Sequence, residues 1–271
     1  MPRPQLCLFS KHAAHLNWKE LGAFVKKTGF DGVDLTVRDK GHVEPANAAR
    51  DLEPAVEAIR AAGASVPMIT TGLLTGEDDY AGPILSNAGR LKIPFFKPGY
   101  HKYRDGEGIE AKLAALKPKI ASLAAAGRSH GVAMGFHNHS GDHVGLAVWD
   151  IRELIANHDP SYSGYYWDTA HSVIEGTLYG WKASLDLVLP RLKMIAVKDF
   201  FWERKDEGWK LQWCPLGGGM VDFRAIFKTL AQAGWSGPVS LHTEYATPDE
   251  MRAIEADFRF LKREVDRAYG G

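Results

Sequence analysis

One pattern governs what this chain can fold into: a short apolar run with strand character is followed by a stretch with helical spacing, and the pair recurs eight times without a linker. The strand-type runs cover residues 5–9, 32–38, 66–71, 93–97, 132–136, 164–168, 194–199 and 239–244. Helical stretches fill the gaps at about 17–28, 45–62, 80–90, 110–128, 149–157, 179–189, 223–233 and 248–268. Their ends carry ordinary punctuation, with Asn17 and Asp222 as N-caps and Gly29 and Gly234 as stops. Pro118 predicts a kink in the fourth helix. Strict alternation of this kind calls for a parallel sheet covered by helices, and eight units close it into a single-domain (β/α)8 TIM barrel over residues 1–271. A doubly wound open sheet would want a G-x-G-x-x-G turn after the first strand, and none is there. At 45% hydrophobic residues, the chain has enough apolar material for one large core.

In such a barrel the reacting groups sit at the C-terminal ends of the strands. This chain places polar residues there in every unit: His12 after the first strand, Asp34, Thr36 and Arg38 on the second, Thr70 and Thr71 on the third, Lys97 on the fourth. His137 and His139 end the fifth, Asp168 and His171 the sixth, Lys198 and Asp199 the seventh, His242 and Glu244 the eighth. Residues two apart on a strand share a face, so Asp34, Thr36 and Arg38 point one way and Val33, Leu35 and Val37 the other. The same rule puts His137 and His139 on one side. Eight strands converging on one polar rim favour an enzyme over a scaffold.

Each residue also has a plainer reading. Asp168 stands in a good N-cap context, Lys198 and Asp199 could form a strand-end ion pair, and Arg38 could pair with Asp34 or Asp39. His12 and His42 could be ordinary loop histidines. Glu244 is harder to dismiss, because a carboxylate ending a buried strand must be paired, bound or shifted in pKa. Residues 200–219 read as the longest unstructured connection, a cover over the site whose aromatic content argues against disorder.

Thirty-three basic residues balance thirty-three acidic ones, which removes the electrostatic case for a nucleic-acid or anionic-membrane partner. No apolar run approaches a transmembrane length and no leader pattern is visible. A soluble protein is expected, cytoplasmic or exported after removal of a signal. Cys7 and Cys214 lie outside any metal-type spacing and read as buried thiols unless the fold brings them together.

Four stretches, Gly29-Phe30-Asp31-Gly32-Val33-Asp34-Leu35, Trp167-Asp168-Thr169-Ala170-His171, Ile195-Ala196-Val197-Lys198-Asp199 and Ser240-Leu241-His242-Thr243-Glu244, resemble in order those of the xylose isomerase-like TIM barrels. That superfamily includes sugar isomerases and epimerases, inosose dehydratase and endonuclease IV. The resemblance implies a divalent metal (Mn2+, Mg2+, Co2+ or Zn2+) at the barrel mouth, held by a strand-five Glu, a strand-six Asp, a strand-seven His and a strand-eight Glu. Carried over by motif, those positions are His137, Asp168, Ala196 and Glu244. Ala196 cannot bind a metal, so the expected set is His137, Asp168 and Glu244, with His139 or His242 swinging in, or else a metal-free site in which Lys198 supplies the positive charge.

The resemblance further implies a small-molecule sugar substrate and, as in many family members, a possible homo-oligomer. The expected chemistry is removal of a proton next to a carbonyl, with Glu244 as base, His137 or His139 returning a proton, and metal or Lys198 holding the oxyanion. His12, Asp34, Arg38, His42, Lys97, His139, His171 and His242 are the expected contacts to substrate, with Trp202 offering a stacking face. The same first step can expel a β-hydroxyl or a glycoside, giving a dehydratase or lyase, and decay of the site would leave a sugar-binding barrel without catalysis. Endonuclease activity is disfavoured by the neutral charge and the reduced ligand set.

Overall fold

The computed structural model describes residues 2–270, so the two terminal residues of the expected 1–271 domain lie outside them. Eight parallel strands close into a barrel: β1 (Leu6–Phe9), β2 (Gly32–Val37), β3 (Ser65–Thr71), β4 (Phe95–Lys97), β5 (Ala133–His137), β6 (Ser163–Asp168), β7 (Leu192–Val197) and, after an inserted pair, β10 (Val239–Leu241). Closure is made where β10 pairs with β1, Leu8 lying opposite Leu241 and, on the other side, Val33. The helices are α1 (Trp18–Thr28), α2 (Ala48–Ala61), α3 (Ala81–Arg90), α4 (Ile109–Ser129), α5 (Val148–Ile155), α6 (Thr169–Val188), α7 (Phe223–Gln232) and α8 (Glu250–Tyr269). The chain is a (β/α)8 TIM barrel in one domain.

Local chemistry explains the boundaries. Asn17 and Glu20 form a reciprocal capping box at the start of α1, and Gly29 ends it at φ 103°, a conformation that favours glycine. Outward-pointing Val33, Leu35 and Val37 join the large core between sheet and helices, while Asp34 turns into the barrel. The barrel interior has its own small apolar layer of Met68, Tyr166, Met194 and Ala196, which forms the floor beneath the polar mouth.

The expectations for two stretches are corrected. Residues 200–219 are not an unstructured loop: β8 (Asp199–Lys205) and β9 (Gly208–Cys214) form an antiparallel hairpin. Phe200 pairs with Trp213 and Trp202 with Leu211, which puts these four on one face, a cross-strand pairing that a search for barrel strands passes over. Asp199 fixes the base of this hairpin rather than forming an ion pair with Lys198. Its carboxylate accepts backbone N–H groups of Phe200, Gly217, Gly219 and Val221 at 2.9–3.1 Å. Second, α6 begins directly at the end of β6 instead of at residue 179, with one break at Thr177 (φ 31°, ψ −129°). α4 includes Pro118 within its span, Ile109–Ser129.

Among the described residues, no helix is long and apolar enough to cross a membrane. Cys7 and Cys214 are both free and buried.

Candidate active site

At the C-terminal end of the barrel a cavity of about 250 Å3 opens between β1, β5, β7 and the segment after β10, near the low end of the range for small-molecule sites. A larger groove of about 730 Å3 runs between α6 and α7, but its charged lining is limited to Lys182, Asp186 and Lys228. Chemistry, not size, picks out the barrel mouth. Arg38, Lys97, His137, His139, Lys198, His242 and Glu244 all line it.

One wall is built on Glu244. Its Oε2 accepts from Lys11 Nζ at 2.8 Å, and its Oε1 faces His12 Nε2 at 3.8 Å and His242 Nδ1 at 3.9 Å. Burial alone would raise the Glu244 pKa, but the charge of Lys198, the Lys11 hydrogen bond and His12 together hold it below its usual value. The carboxylate is therefore ionised near neutral pH. His12 is pushed down to about 4 by burial, against the pull of Glu244. Its Nε2, buried and without a hydrogen-bond partner, lies on the Glu244 side. His242 is stacked on Phe9, with ring centroids 4.3 Å apart, and its pKa is driven well below the usual value by burial and by Lys198.

The opposite wall is built on Asp168, the last residue of β6 and the N-cap of α6. Its Oδ1 accepts from the backbone N–H of His171 at 3.0 Å, so the capping role is real and coexists with a second one. Its Oδ2 is 3.2 Å from both Lys198 Nζ and His137 Nε2. A carboxylate oxygen can only accept, which assigns the proton of His137 to Nε2 and leaves Nδ1 to accept from Tyr100 Oη at 2.7 Å. Burial, Lys97 and Lys198 keep the His137 pKa well below its usual value, as expected of this neutral tautomer. His139 continues the wall, pushed to about 4 by burial and Lys198, and packs on His171 with centroids 3.8 Å apart. Lys97 is 3% exposed, its Nζ 3.3 Å from the centre of the Tyr100 ring, and desolvation lowers its pKa strongly.

Other expected residues sit elsewhere. Asp34 lies below the mouth, its carboxylate accepting from Thr70 Oγ1 at 2.8 Å, Ser240 Oγ at 2.9 Å and Tyr166 Oη at 3.1 Å. His171 is fully buried behind His139, with Nδ1 2.7 Å from Ser140 Oγ. Arg38 is the exception: it lines the cavity, faces the Phe9 ring at 5.5 Å and forms no ion pair with Asp34 or Asp39. His42 is not brought to the cavity: its ring spans Thr36 Oγ1 at 3.3 Å and the Leu16 carbonyl at 3.2 Å, tying the loop after β2 to the end of β1's turn. Trp202 stands on the hairpin outside the cavity, and its neighbour on the same face, Trp213, lines it instead. Sequence reasoning passed over Lys11, Tyr100 and Trp213. Lys11 and Tyr100 follow their strands by two and three residues, a signal that a stricter reading of strand ends would have caught.

The donor set does not fit the metal that the family pattern implies. The strand-seven position is Ala196, sealed in the apolar floor. Asp168 Oδ2 already faces an ammonium and an imidazole N–H, and Glu244 is held by Lys11. Among the described residues no group of three His, Cys, Asp or Glu side chains is arranged to hold an ion.

Residues 22–264 match the description "xylose isomerase-like TIM barrel". The chain belongs to that family. A curated relative, inosose dehydratase of Bacillus licheniformis, is 28% identical over 141 residues, which cover 48% of this chain and 45% of the relative. The match thus spans less than half of that enzyme. Among solved structures of the xylose isomerase-like fold, 3-keto-D-glucoside 4-epimerase from E. coli superposes with a TM-score of 0.74 at 15% identity, covering 96% of this chain and all of the other. A xylose isomerase-like protein from Mycobacterium smegmatis in complex with magnesium gives 0.69 at 15% identity, over 93% of this chain and 89% of the other. At these identities the structural likeness establishes fold. The partly matched curated relative is thus a dehydratase, and solved structures of the same fold include an epimerase and a protein in complex with magnesium.

Proposed function

We propose that the protein is a sugar isomerase or epimerase that removes a proton from the carbon beside the carbonyl of a sugar or keto-sugar and returns it. The observation that carries this reading is the pairing of walls across one small cavity. An ionised, partly exposed carboxylate, Glu244, faces His137, His139 and Lys198. Glu244 takes the proton, and His139 or His137 is positioned to exchange one on the opposite face. Lys97, Arg38 and His242 direct polar groups at the substrate's hydroxyls, and the volume suits one ring.

A second reading, loss of a β-hydroxyl or glycosyl group after the same deprotonation, is favoured by the similarity to an inosose dehydratase. Incubation with a panel of keto-sugars in D2O separates the outcomes. Deuterium entering at the carbon beside the carbonyl, with exchange lost in Glu244→Gln, supports the epimerase. Appearance of an enone moves the assignment to the lyase. Binding seen by thermal shift with no exchange would overturn both and leave a sugar-binding barrel.

A further inference from the structure

We propose that the ammonium of Lys198 is the resident cation of this site, taking the place that a divalent ion holds in the family pattern, so that the reaction needs no metal. This rests on the reading of the cavity as a deprotonation site. It also goes beyond that reading, because it concerns what balances the negative charge.

The argument starts from β7. Ala196 sits opposite Asp168 in the β6–β7 register, where the family pattern calls for a histidine, and its side chain belongs to the apolar floor with Met68, Tyr166 and Met194. Two residues on, with the strand period returning the side chain to the same face, stands Lys198. Its Nζ approaches Asp168 Oδ2 to 3.2 Å and lies 4.9 Å from the centre of the Trp213 ring. Lys198 is 4% exposed, so its charge is held between a carboxylate and an aromatic face and is little screened by water. The fold therefore provides a fixed positive charge in a dry site, the property that makes a cation effective against a developing oxyanion.

The same contacts work against a metal. An ion bound to Asp168 Oδ2 would have to displace Lys198, or sit beside it and suffer like-charge repulsion at short range. His137 Nε2 carries a proton into the same oxygen, so its lone pair is not offered to an ion, while Tyr100 occupies Nδ1.

The reaction balances without a co-reactant. Glu244 accepts the proton from carbon, the C–H pair forms the C=C bond, and the carbonyl π pair moves onto oxygen. A Lys198 N–H donates a hydrogen bond to that oxygen, and a proton returned to carbon reverses the electron flow. Lys198 keeps its protons throughout, and Asp168 orients it.

The test uses the intact protein as purified. Substoichiometric metal by elemental analysis, turnover unchanged in EDTA, and no Mn2+ binding by calorimetry are expected. Lys198→Ala should lose on the order of 1000-fold in kcat, with partial recovery in ethylammonium and none in Mn2+. Lys198→Arg, which keeps a charge against Asp168, serves where the alanine variant does not fold, and should keep a larger share of kcat than Lys198→Met. One equivalent of bound metal in the parent protein, or EDTA inactivation reversed by Mn2+, overturns the proposal. If no keto-sugar is turned over, the functional reading fails by itself. Calorimetry still decides the cation: Mn2+ binding to the parent that is abolished in Asp168→Asn refutes the ammonium, and its absence supports it.

Discussion

Asp34 and Asp168 are both fully buried aspartates, carried by β2 and β6 on different sides of one barrel, yet they do opposite work. Asp34 is surrounded by neutral donors, the hydroxyls of Thr70, Ser240 and Tyr166. Burial raises its pKa, and those hydrogen bonds only partly offset the rise. It ties β2 to three other strands, β3, β6 and β10, beneath the mouth. Asp168 instead faces the ammonium of Lys198 and the imidazole of His137 while capping α6. The comparison shows that burial alone says nothing about function. What matters is whether the partners are neutral groups that complete a structure or charged groups that open onto a cavity.

The sharpest way to break this contrast is to neutralise each carboxylate. Asp168→Asn leaves Lys198 buried without its counter-charge, so a loss of stability of about 3–5 kcal/mol is expected. Any folded fraction should show kcat down by about 1000-fold, read by denaturation and by turnover together. Glu244→Gln, on the wall facing Asp168, should cost roughly 100- to 10,000-fold in turnover with the fold kept and only a small drop in the unfolding midpoint; retained activity would sink its role as base. Asp34→Asn should reverse that profile, with stability lower by about 1–3 kcal/mol and turnover per folded molecule kept. If Asp34→Asn abolished turnover in a well-folded protein, the distinction between the two aspartates would fail.

Acid should weaken the histidine-lined mouth. His12 and His139 titrate near 4 in the folded chain against 6.5 for the free group, so between those values the unfolded chain binds more protons. Stability is then full above about 6.5 and falls as the pH drops toward about 4. Asp257, raised to about 6 by burial, acts in the opposite sense, as do Asp34 and Asp199, also raised by burial, whereas His137, His171 and His242 reinforce the loss. Urea midpoints across that range would detect it, and a midpoint rising on acidification would contradict it. The smallest effect is expected outside both regions. Trp202→Ala should stay within about 0.5 kcal/mol of the parent and leave the KM for a single-ring sugar unchanged.

Much of the fold was legible in the chain because period and punctuation are local properties. The apolar alternation of residues 32–38 and the Asn17 cap needed no tertiary information. The hairpin was missed because its pairing lies between residues such as Phe200 and Trp213, separated by a turn and hidden by a search for barrel strands. Among the candidate site residues, strand-end position was enough to gather His137, Lys198, His242 and Glu244 on one rim. It could not separate them from Asp34 or His42, which share the same sequence cues but spend their polar atoms on neighbouring strands and loops.

By itself, then, the sequence determined the eightfold alternation, the barrel it closes into, the family to which the barrel belongs and the absence of a ligand at Ala196. Those follow from side-chain periodicity and from which atoms a residue possesses. Only the tertiary structure decided that Lys198 reaches Asp168, that Lys11 holds Glu244, and that Asp199 clamps a hairpin rather than pairing with its neighbour. The physical reason is that a charged side chain's role depends on what the fold brings within about 3 Å of it, and those partners come from strands and loops far away in the chain.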